Sequence, residues 1–119
     1  MFRILVVDDE PDLRSLLRRF LERAGFEVGE ASHGAQALTF VHESPPDLVV
    51  TDMMMPVMDG AELIRRLRAD PTTAQIPILA VTGDAQLAGD ADMVLGKPWR
   101  PQQLLTAATT LLAAKADRT

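Results

Sequence analysis

The chain has 119 residues, enough for one domain with a buried core and too few for two ordinary domains. Hydrophobic residues make up 47% and charged residues 24%, a balance that excludes an intrinsically disordered segment. The formal net charge of −5, the lack of cysteine and the shortness of every apolar run exclude a basic surface for nucleic acid, a thiolate metal site and a transmembrane helix.

The first quarter of the chain predicts a strand, a helix and a second strand. Residues 4–7 form a short continuous apolar run, as in a strand that is buried on both faces. After Pro11, apolar residues recur at helical spacing until Gly25 ends the pattern. The apolar face of this helix consists of Leu13, Leu16, Leu17, Phe20, Leu21 and Ala24. Residues 26–31 alternate in polarity and predict an edge strand whose two glutamates face water.

The middle of the chain predicts two helices on either side of a central strand. Ser32 is placed to cap a helix, and the Ser-Pro-Pro sequence at residues 44–46 ends it. Residues 47–52 form the central strand. The Asp-Gly pair at residues 59–60 begins the next helix, which ends near Asp70. The apolar faces consist of Ala35, Ala37, Leu38 and Val41 in the first helix and Leu63, Ile64 and Leu67 in the second.

The last third predicts strands at residues 78–82 and 93–96 and a final helix that begins at Pro101. Its inward residues are Leu104, Leu105, Ala108, Leu111 and Leu112, and residues 115–119 are expected to be a frayed helix end. Alternating strands and helices predict a parallel sheet with right-handed crossovers and helices on both faces. We therefore expect one domain over residues 1–119, without an effector domain, in the cytoplasm and away from membranes.

Five polar residues follow the predicted buried strands. Asp8 and Asp9 come after the first apolar run, and Asp52 ends the central strand. Thr82 ends the fourth strand, and Lys97 follows the last one. Because ligands bind outside the carboxyl ends of parallel strands, we expect these side chains to meet in one crevice.

Three carboxylates in one crevice repel one another unless a cation offsets their charge. Oxygen ligands from few protein groups suit Mg²⁺, which retains water and commonly binds phosphate oxygens. Lys97 and Thr82 can then contact a phosphoryl group beside the metal, as a point charge and a hydroxyl donor. Asp52 is central enough to attack phosphorus and form an acyl phosphate.

Four segments contain these residues: VVDDE at residues 6–10, TDMMMPVMDG at residues 51–60, Thr82 with Gly83, and Lys97 with Pro98. Together they resemble the receiver domain of two-component response regulators, including the single-domain receivers of chemotaxis. The resemblance spans nearly the whole chain. It implies a flavodoxin-like fold with five parallel strands in the order 2-1-3-4-5.

The resemblance also implies a role for each residue. Asp52 would accept a phosphoryl group from a sensor histidine kinase or a histidine phosphotransfer protein. Asp9, Asp52 and the backbone carbonyl of Met54 would bind Mg²⁺, or Mn²⁺, directly, and Asp8 would act through water. Thr82 and Lys97 would contact the phosphoryl oxygens. The protein would then signal to an output protein without binding nucleic acid directly, with self-directed phosphotransfer and autodephosphorylation as its only chemistry.

The chain departs from the family pattern between Thr82 and Lys97. This interval is shorter by roughly two helical turns, so the fourth helix is predicted to be shortened or absent. That helix belongs to the face through which many receivers dimerise or engage effectors. Val94 stands where the family has a switch aromatic. We therefore expect readout to differ, with residues 83–92 changing between mobile and ordered states on phosphorylation.

Other interpretations stand beside this one. Taken alone, Asp8 and Asp9 could cap the helix that follows them, and Lys97 could be a solvated charge. A degenerate receiver could bind proteins without phosphorylation, although the acceptor residues are intact. A hydrolase that uses an aspartyl phosphate is expected to carry a second acid two positions after its nucleophile, where this chain has Met54.

Overall fold

Five strands and four α-helices alternate along residues 1–117, which are the residues that the computed structural model describes. The strands are β1 (Arg3–Val7), β2 (Glu27–Ala31), β3 (Leu48–Asp52), β4 (Ile78–Thr82) and β5 (Met93–Gly96). The helices are α1 (Pro11–Arg23), α2 (Gly34–Glu43), α3 (Gly60–Ala69) and α4 (Pro101–Asp117). These elements lie close to the positions that the sequence predicts.

The strands form one parallel sheet in the order β2-β1-β3-β4-β5. Val7 pairs with Thr51 across β1 and β3, and Asp52 pairs with Val81 across β3 and β4. The register therefore brings the carboxyl ends of the central strands to the same edge of the sheet. The predicted flavodoxin-like fold and strand order are confirmed, and β2 is an edge strand as expected.

Helices cover both faces of the sheet. Successive residues of a strand point to opposite faces, so each strand contributes side chains to both layers of the core. Leu5 and Val49 pack on the side that carries α2 and α3, whereas Ile4 and Val50 pack on the side that carries α1 and α4. All five residues of β3 are buried. Most residues of the predicted inward faces are buried or half-buried. Ala24 and Ala35 are exposed, and Ala24 follows the last residue of α1, so these two assignments are wrong. In α4, Leu105 is half-buried and Ala107 is buried instead.

Helix α2 begins differently from the prediction. His33 is its N-cap, and its Nδ1 accepts the backbone N–H of Gln36 at 3.1 Å. Ser32, the predicted cap, lies one residue before His33, and its hydroxyl donates to Oε1 of Gln36 at 3.0 Å. The expected Ser32 cap is therefore wrong. The imidazole takes the position because a ring nitrogen can accept a hydrogen bond as a hydroxyl oxygen does.

The second glutamate of β2 does not simply face water. Glu30 forms ion pairs with Arg14 at 3.2 Å and with Arg18 at 3.0 Å, both from α1. Its partner on the same strand, Glu27, is exposed and pairs with Arg3 of β1. Glu30 shares the face of Val28, which packs on the α1 side of the sheet, so a residue expected to face water meets the arginines of the helix.

The connection between β4 and β5 is short, as the sequence predicts. It holds a single 3-10 helix, Ala85–Ala88, which begins where the side chain of Asp84 accepts the backbone N–H of Gln86 at 3.0 Å. Ala88 is buried against the core, whereas Leu87 is exposed. This four-residue turn stands where the resemblance places a fourth helix.

Arg68 of α3 holds the far end of this connection. Its guanidinium pairs with the carboxylate of Asp92 at 2.6 Å and donates to the backbone carbonyl of Asp90 at 3.2 Å. The same side chain donates to the carbonyl oxygens of Ala74 and Ile76, both at 2.8 Å. We call Arg68, Asp90 and Asp92 the Arg68 clamp. It fixes the end of the connection that leads into β5.

The final helix is regular up to Asp117, and Lys115 is bonded to Asp47 at 2.8 Å. The predicted frayed end is therefore wrong for its first three residues, while residues 118 and 119 lie outside the described part of the chain. None of the helices within residues 1–117 combines the length and the apolar character that crossing a bilayer would require.

Candidate functional site

The five residues singled out from the sequence lie at one edge of the sheet. Asp52 and Thr82 are the last residues of β3 and β4, and Asp8 and Lys97 directly follow β1 and β5. Asp8, Asp52 and Thr82 are buried, with 2%, 6% and 3% of their surface exposed. Asp9 is exposed. The crevice that the strand pattern predicts is therefore present.

Three carboxylates converge in this crevice. One oxygen each from Asp8, Asp9 and Asp52 lies within 4.8 Å of the others, close enough for all three to surround one metal ion. We call these residues the acid cluster. A set of carboxylate oxygens is the donor set that hard divalent cations prefer, so the side chains fit Mg²⁺.

Asp52 is held by two donors. The ammonium nitrogen of Lys97 lies 3.0 Å from Oδ1 of Asp52, and the backbone N–H of Met53 donates to the same oxygen at 2.9 Å. Within residues 1–117, no hydrogen bond reaches the other oxygen, Oδ2. The carboxylate is thus fixed through one oxygen and has the second available for a metal ion or for attack.

The ionised form of Asp8 is destabilised within the acid cluster. Burial raises the pKa of its carboxyl group, and the nearby charges of Asp52 and Asp9 raise it further. The backbone N–H of Glu10, which donates to Oδ1 of Asp8 at 2.9 Å, and the charge of Lys97 act in the opposite direction. Because the raising influences prevail, a cation bound in the cluster would stabilise the ionised form.

Thr82 lies at the same edge but is engaged locally. The backbone N–H of Asp84 donates to its hydroxyl oxygen at 3.1 Å, and the hydroxyl lies 3.3 Å from the carbonyl oxygen of Asp84. The backbone N–H of Lys97 donates to the carbonyl oxygen of Thr82 at 3.0 Å, which ties the two residues together. The structure brings Thr82 to the site without joining its hydroxyl to the acid cluster.

Space beside the site depends on two glycines. A Cβ atom at Gly60 would come within 2.5 Å of the carbonyl oxygen of Asp52, so a larger residue would displace the end of β3. At Gly83 a Cβ atom would meet nothing closer than 4.0 Å, the distance to the carbonyl oxygen of Lys97. Together with exposed Met54, Gly83 leaves the approach to the crevice open.

A groove beside the acid cluster was not anticipated from the sequence. It has a volume of about 620 Å³ and lies between α1 and the segment that joins β5 to α4. Its walls include Leu13, Leu16, Phe20, Pro98 and Trp99, and its charged residues are Asp8 and Lys97. The rings of Phe20 and Trp99 meet edge to face, 6.1 Å apart between centroids and at 84°. We call this feature the apolar groove. The width of the leucine stripe on α1 was its only signal in the sequence.

The family model for the response regulator receiver domain matches residues 4–109. Among proteins with similar sequences, the DNA-binding response regulator MtrA of Mycolicibacterium smegmatis is 38% identical over 122 residues, which cover 97% of this chain and 52% of that protein. The chain spans about half the length of the first relatives it matches.

Solved structures give the same assignment. The chemotaxis response regulator CheY4 of Vibrio cholerae has a TM-score of 0.87 and 31% identity, covering 93% of this chain and 98% of that one. The receiver domain of the sensor histidine kinase PA1611 from Pseudomonas aeruginosa, which has a magnesium ion in its active-site cleft, has a TM-score of 0.88 and 25% identity, covering 94% and 98%. The chain belongs to the response regulator receiver domain family.

Proposed function

We propose that this receiver domain accepts its phosphoryl group on Asp52. The observation that carries the proposal is the position of this carboxylate, which is joined to Lys97 at 3.0 Å and grouped with two further acids. A buried carboxylate with one free oxygen, a lysine beside it and room for a cation is what transfer of phosphorus to an aspartate requires. The donor is a histidine kinase or a histidine phosphotransfer protein, as is typical of the family.

The transfer step follows from this arrangement. An oxygen of Asp52 attacks phosphorus while the bond from phosphorus to the donor's histidine nitrogen breaks. The electron pair of that bond stays on the imidazole, and the product is an acyl phosphate on Asp52. Lys97 is close enough to follow the growing negative charge from the carboxylate to the phosphoryl oxygens.

The metal site is proposed from the acid cluster. Asp9 and Asp52 would hold Mg²⁺ directly together with the carbonyl oxygen of Met54, and Asp8 would hold it through water. The convergence of the three carboxylates supports this assignment. When bound, a divalent cation neutralises charge on the phosphoryl group that is being transferred. Mn²⁺ would satisfy the same oxygen ligands.

The response is proposed to begin at Thr82. For its hydroxyl to reach a phosphoryl group on Asp52, it must leave the backbone of Asp84, to which it is now bonded. Releasing that contact frees the start of the β4–β5 connection, whereas the Arg68 clamp holds the far end. We infer that the moving segment is residues 83–87, shorter than the segment 83–92 expected from the sequence.

Output is proposed to pass to a separate protein or to another part of a longer chain. DNA binding is stated in the name of the relative MtrA, of which this chain spans about half, so that property is not assigned to these residues. The 3-10 helix Ala85–Ala88 and exposed Val94 both depart from the family pattern described above. Signal readout is therefore expected to be specific to this chain.

The proposed acceptor can be tested by intact mass measurement after incubation with Mg²⁺ and acetyl phosphate. We expect the parent chain to gain the mass of one phosphoryl group and the Asp52→Asn variant to gain none. Asp59→Asn is the matched control, since Asp59 is an exposed cap of α3 whose side-chain oxygen can be replaced by an amide oxygen. Equal labelling of the parent and Asp52→Asn chains would overturn the assignment.

A further inference from the structure

We propose that the apolar groove binds the organic tail of a small phosphodonor, so that Asp52 takes its phosphoryl group faster from acyl phosphates with an aliphatic chain than from acetyl phosphate. This proposal rests on the proposed function, because it concerns the donor for the same acceptor. It adds a substrate subsite on this chain, formed by α1 and the segment that joins β5 to α4.

The groove shares two charged residues with the proposed acceptor site. Asp8 of the acid cluster and Lys97, whose ammonium nitrogen lies 3.0 Å from Asp52, both line it. Every other residue that lines the groove is apolar, including Leu13, Leu16 and Trp99. A molecule whose phosphoryl group lies beside Lys97 therefore has an apolar channel within reach of the atoms that follow its phosphorus.

The size of the groove suits a small organic group. Its volume of about 620 Å³ falls within the range of roughly 300–1,000 Å³ that is usual for small-molecule sites. Phe20 and Trp99 are half-buried, so each presents part of its ring to the groove instead of closing it. A flexible aliphatic chain can pack against such walls, because neither the chain nor the apolar walls have polar groups that would lose hydrogen bonds.

The charged residues at one end of the groove favour an aliphatic molecule that carries an anionic group. The acid cluster has three carboxylates and Lys97 supplies one positive charge, so a divalent cation would offset the excess negative charge. With the cation present, the region between the cluster and Lys97 favours a phosphoryl anion. An uncharged apolar molecule would fill the groove but make no ionic contact with Lys97. A cationic amphiphile would compete with the metal ion. An acyl phosphate satisfies both ends.

The reaction balances without a further reactant. An oxygen of Asp52 attacks phosphorus, and the bond from phosphorus to the acyl oxygen breaks. The electron pair leaves on the acyl carboxylate, which departs as an anion and takes no proton. One mixed anhydride is exchanged for another, so no oxidant, reductant or nucleotide is required beyond a divalent cation.

The expected size of the effect follows from burial of methylene groups. Each fully buried methylene is worth about a four-fold change in binding. Hexanoyl phosphate has four more methylenes than acetyl phosphate, and partial burial in an open groove predicts a gain in kcat/KM of about ten-fold or more. The leaving carboxylates have nearly the same basicity, so the chemistry of transfer is unchanged along the series.

The test compares labelling rates for acetyl, butanoyl and hexanoyl phosphate with Mg²⁺ on the parent chain and on Leu13→Ser. We expect the rate to rise with chain length in the parent and the ratio of hexanoyl to acetyl rates to fall at least three-fold in Leu13→Ser. Leu105→Ser is the matched control, because Leu105 is a half-buried leucine of α4 that does not line the groove. A ratio of two donors on the same sample is insensitive to the fraction of folded protein.

A second measurement is independent of transfer. Hexylphosphonate, which cannot transfer its phosphorus, should protect Asp52 from acetyl phosphate at a lower concentration than methylphosphonate and should change Trp99 emission. Equal rates for all three acyl phosphates, or an unchanged ratio in Leu13→Ser, would overturn the proposed subsite while leaving Asp52 as the acceptor. Labelling by none of the donors would overturn both proposals. A groove that serves only a partner protein would give the equal rates.

Discussion

The ammonium nitrogen of Lys97 and the backbone N–H of Met53 donate to the same oxygen of Asp52, at 3.0 and 2.9 Å. This arrangement leaves the second oxygen of the carboxylate free of hydrogen bonds from the described residues. The lysine thus offsets the charge of the Asp52 carboxylate without occupying its second oxygen. It also places one positive charge beside the acid cluster, which affects how the cluster binds a cation.

Lys97→Met is predicted to bind Mg²⁺ more tightly and to be phosphorylated more slowly. Removing the ammonium group takes away a positive charge that repels the metal, so we expect the affinity to rise about ten-fold, equivalent to about 1.4 kcal/mol. The same change removes the cation that follows the transferred phosphoryl group. Thermal stabilisation by Mg²⁺ and labelling by acetyl phosphate measure the two effects.

Lys115→Met is the control for the lysine. Lys115 also pairs with an aspartate, Asp47, at 2.8 Å, but it lies on the final helix. Its removal should leave both the Mg²⁺ affinity and the labelling rate unchanged. Weaker Mg²⁺ binding in Lys97→Met would contradict the electrostatic account of the site.

Asp8→Asn is predicted to stabilise the metal-free protein. The raised pKa of Asp8 reflects a buried charge among other carboxylates, and an amide removes that charge. Its oxygen can still accept the backbone N–H of Glu10. We expect the free energy of unfolding in the presence of EDTA to rise, together with a smaller stabilisation by Mg²⁺.

Denaturant unfolding with and without Mg²⁺ measures both quantities, and Asp90→Asn is the control because Asp90 is exposed. If Asp8→Asn destabilised the metal-free protein, the acid cluster would not be under the charge repulsion inferred here.

Phosphorylation is predicted to change amide exchange at residues 83–87 and not at Asp90 or Asp92. The guanidinium of Arg68 holds Asp90 and Asp92, whereas the hydrogen bond between Thr82 and Asp84, at the start of the connection, is expected to break. Exchange with and without beryllofluoride, a phosphoryl mimic, makes the comparison.

Removing the clamp should extend the response. In Arg68→Ala we expect a loss of roughly 2 kcal/mol of stability and faster exchange at Asp90 and Asp92. Identical exchange at residues 83–87 in both states of the parent chain would contradict the proposed motion.

His42 is predicted to titrate above its ordinary pKa. Its Nε2 is 3.0 Å from the carboxylate of Asp70 and its Nδ1 is 2.7 Å from the carbonyl oxygen of Leu38, so the protonated ring satisfies both acceptors. These bonds, with Asp70 first, raise the pKa of His42, and the bond to His42 lowers the pKa of Asp70 to about 2.

The sign of the pH dependence follows from these shifts. The contribution of His42 to stability is complete below its ordinary pKa of 6.5 and is lost as the pH rises through the raised value. The contribution of Asp70 is complete above 3.8 and is lost as the pH falls through about 2. NMR titration of the imidazole should give a lower pKa in Asp70→Asn, and an unchanged value would show that the pair does not form in solution.

The sheet and the acid cluster could be predicted from the sequence because both depend on local patterns. Continuous apolar runs identify buried parallel strands, and a polar residue directly after such a run must lie at the carboxyl edge. Asp52 and Thr82 were placed correctly on that basis. The shortness of the connection after Thr82 could also be predicted, because it follows from the number of residues between Thr82 and Lys97.

Features that depend on contacts distant in sequence could not be predicted. The ion pairs of Glu30 arise only when α1 packs over the edge of the sheet, and the bond from Arg68 to Asp92 spans 24 residues. The cap of α2 was misplaced by one residue, because Ser32 and His33 both offer an acceptor and the backbone decides between them. The apolar groove forms between α1 and the segment at Trp99, whose ring meets Phe20, and no single stretch of sequence specifies that packing.

Chemical location of the phosphorylated residue decides whether Asp52 is the acceptor. Borohydride reduces an aspartyl phosphate to homoserine, and peptide mass spectrometry then identifies the modified position. After treatment with Mg²⁺ and acetyl phosphate, we expect homoserine at residue 52 and unmodified aspartate at residues 8 and 9. Homoserine at either of those two positions, or at none of the three, would contradict the assignment of Asp52.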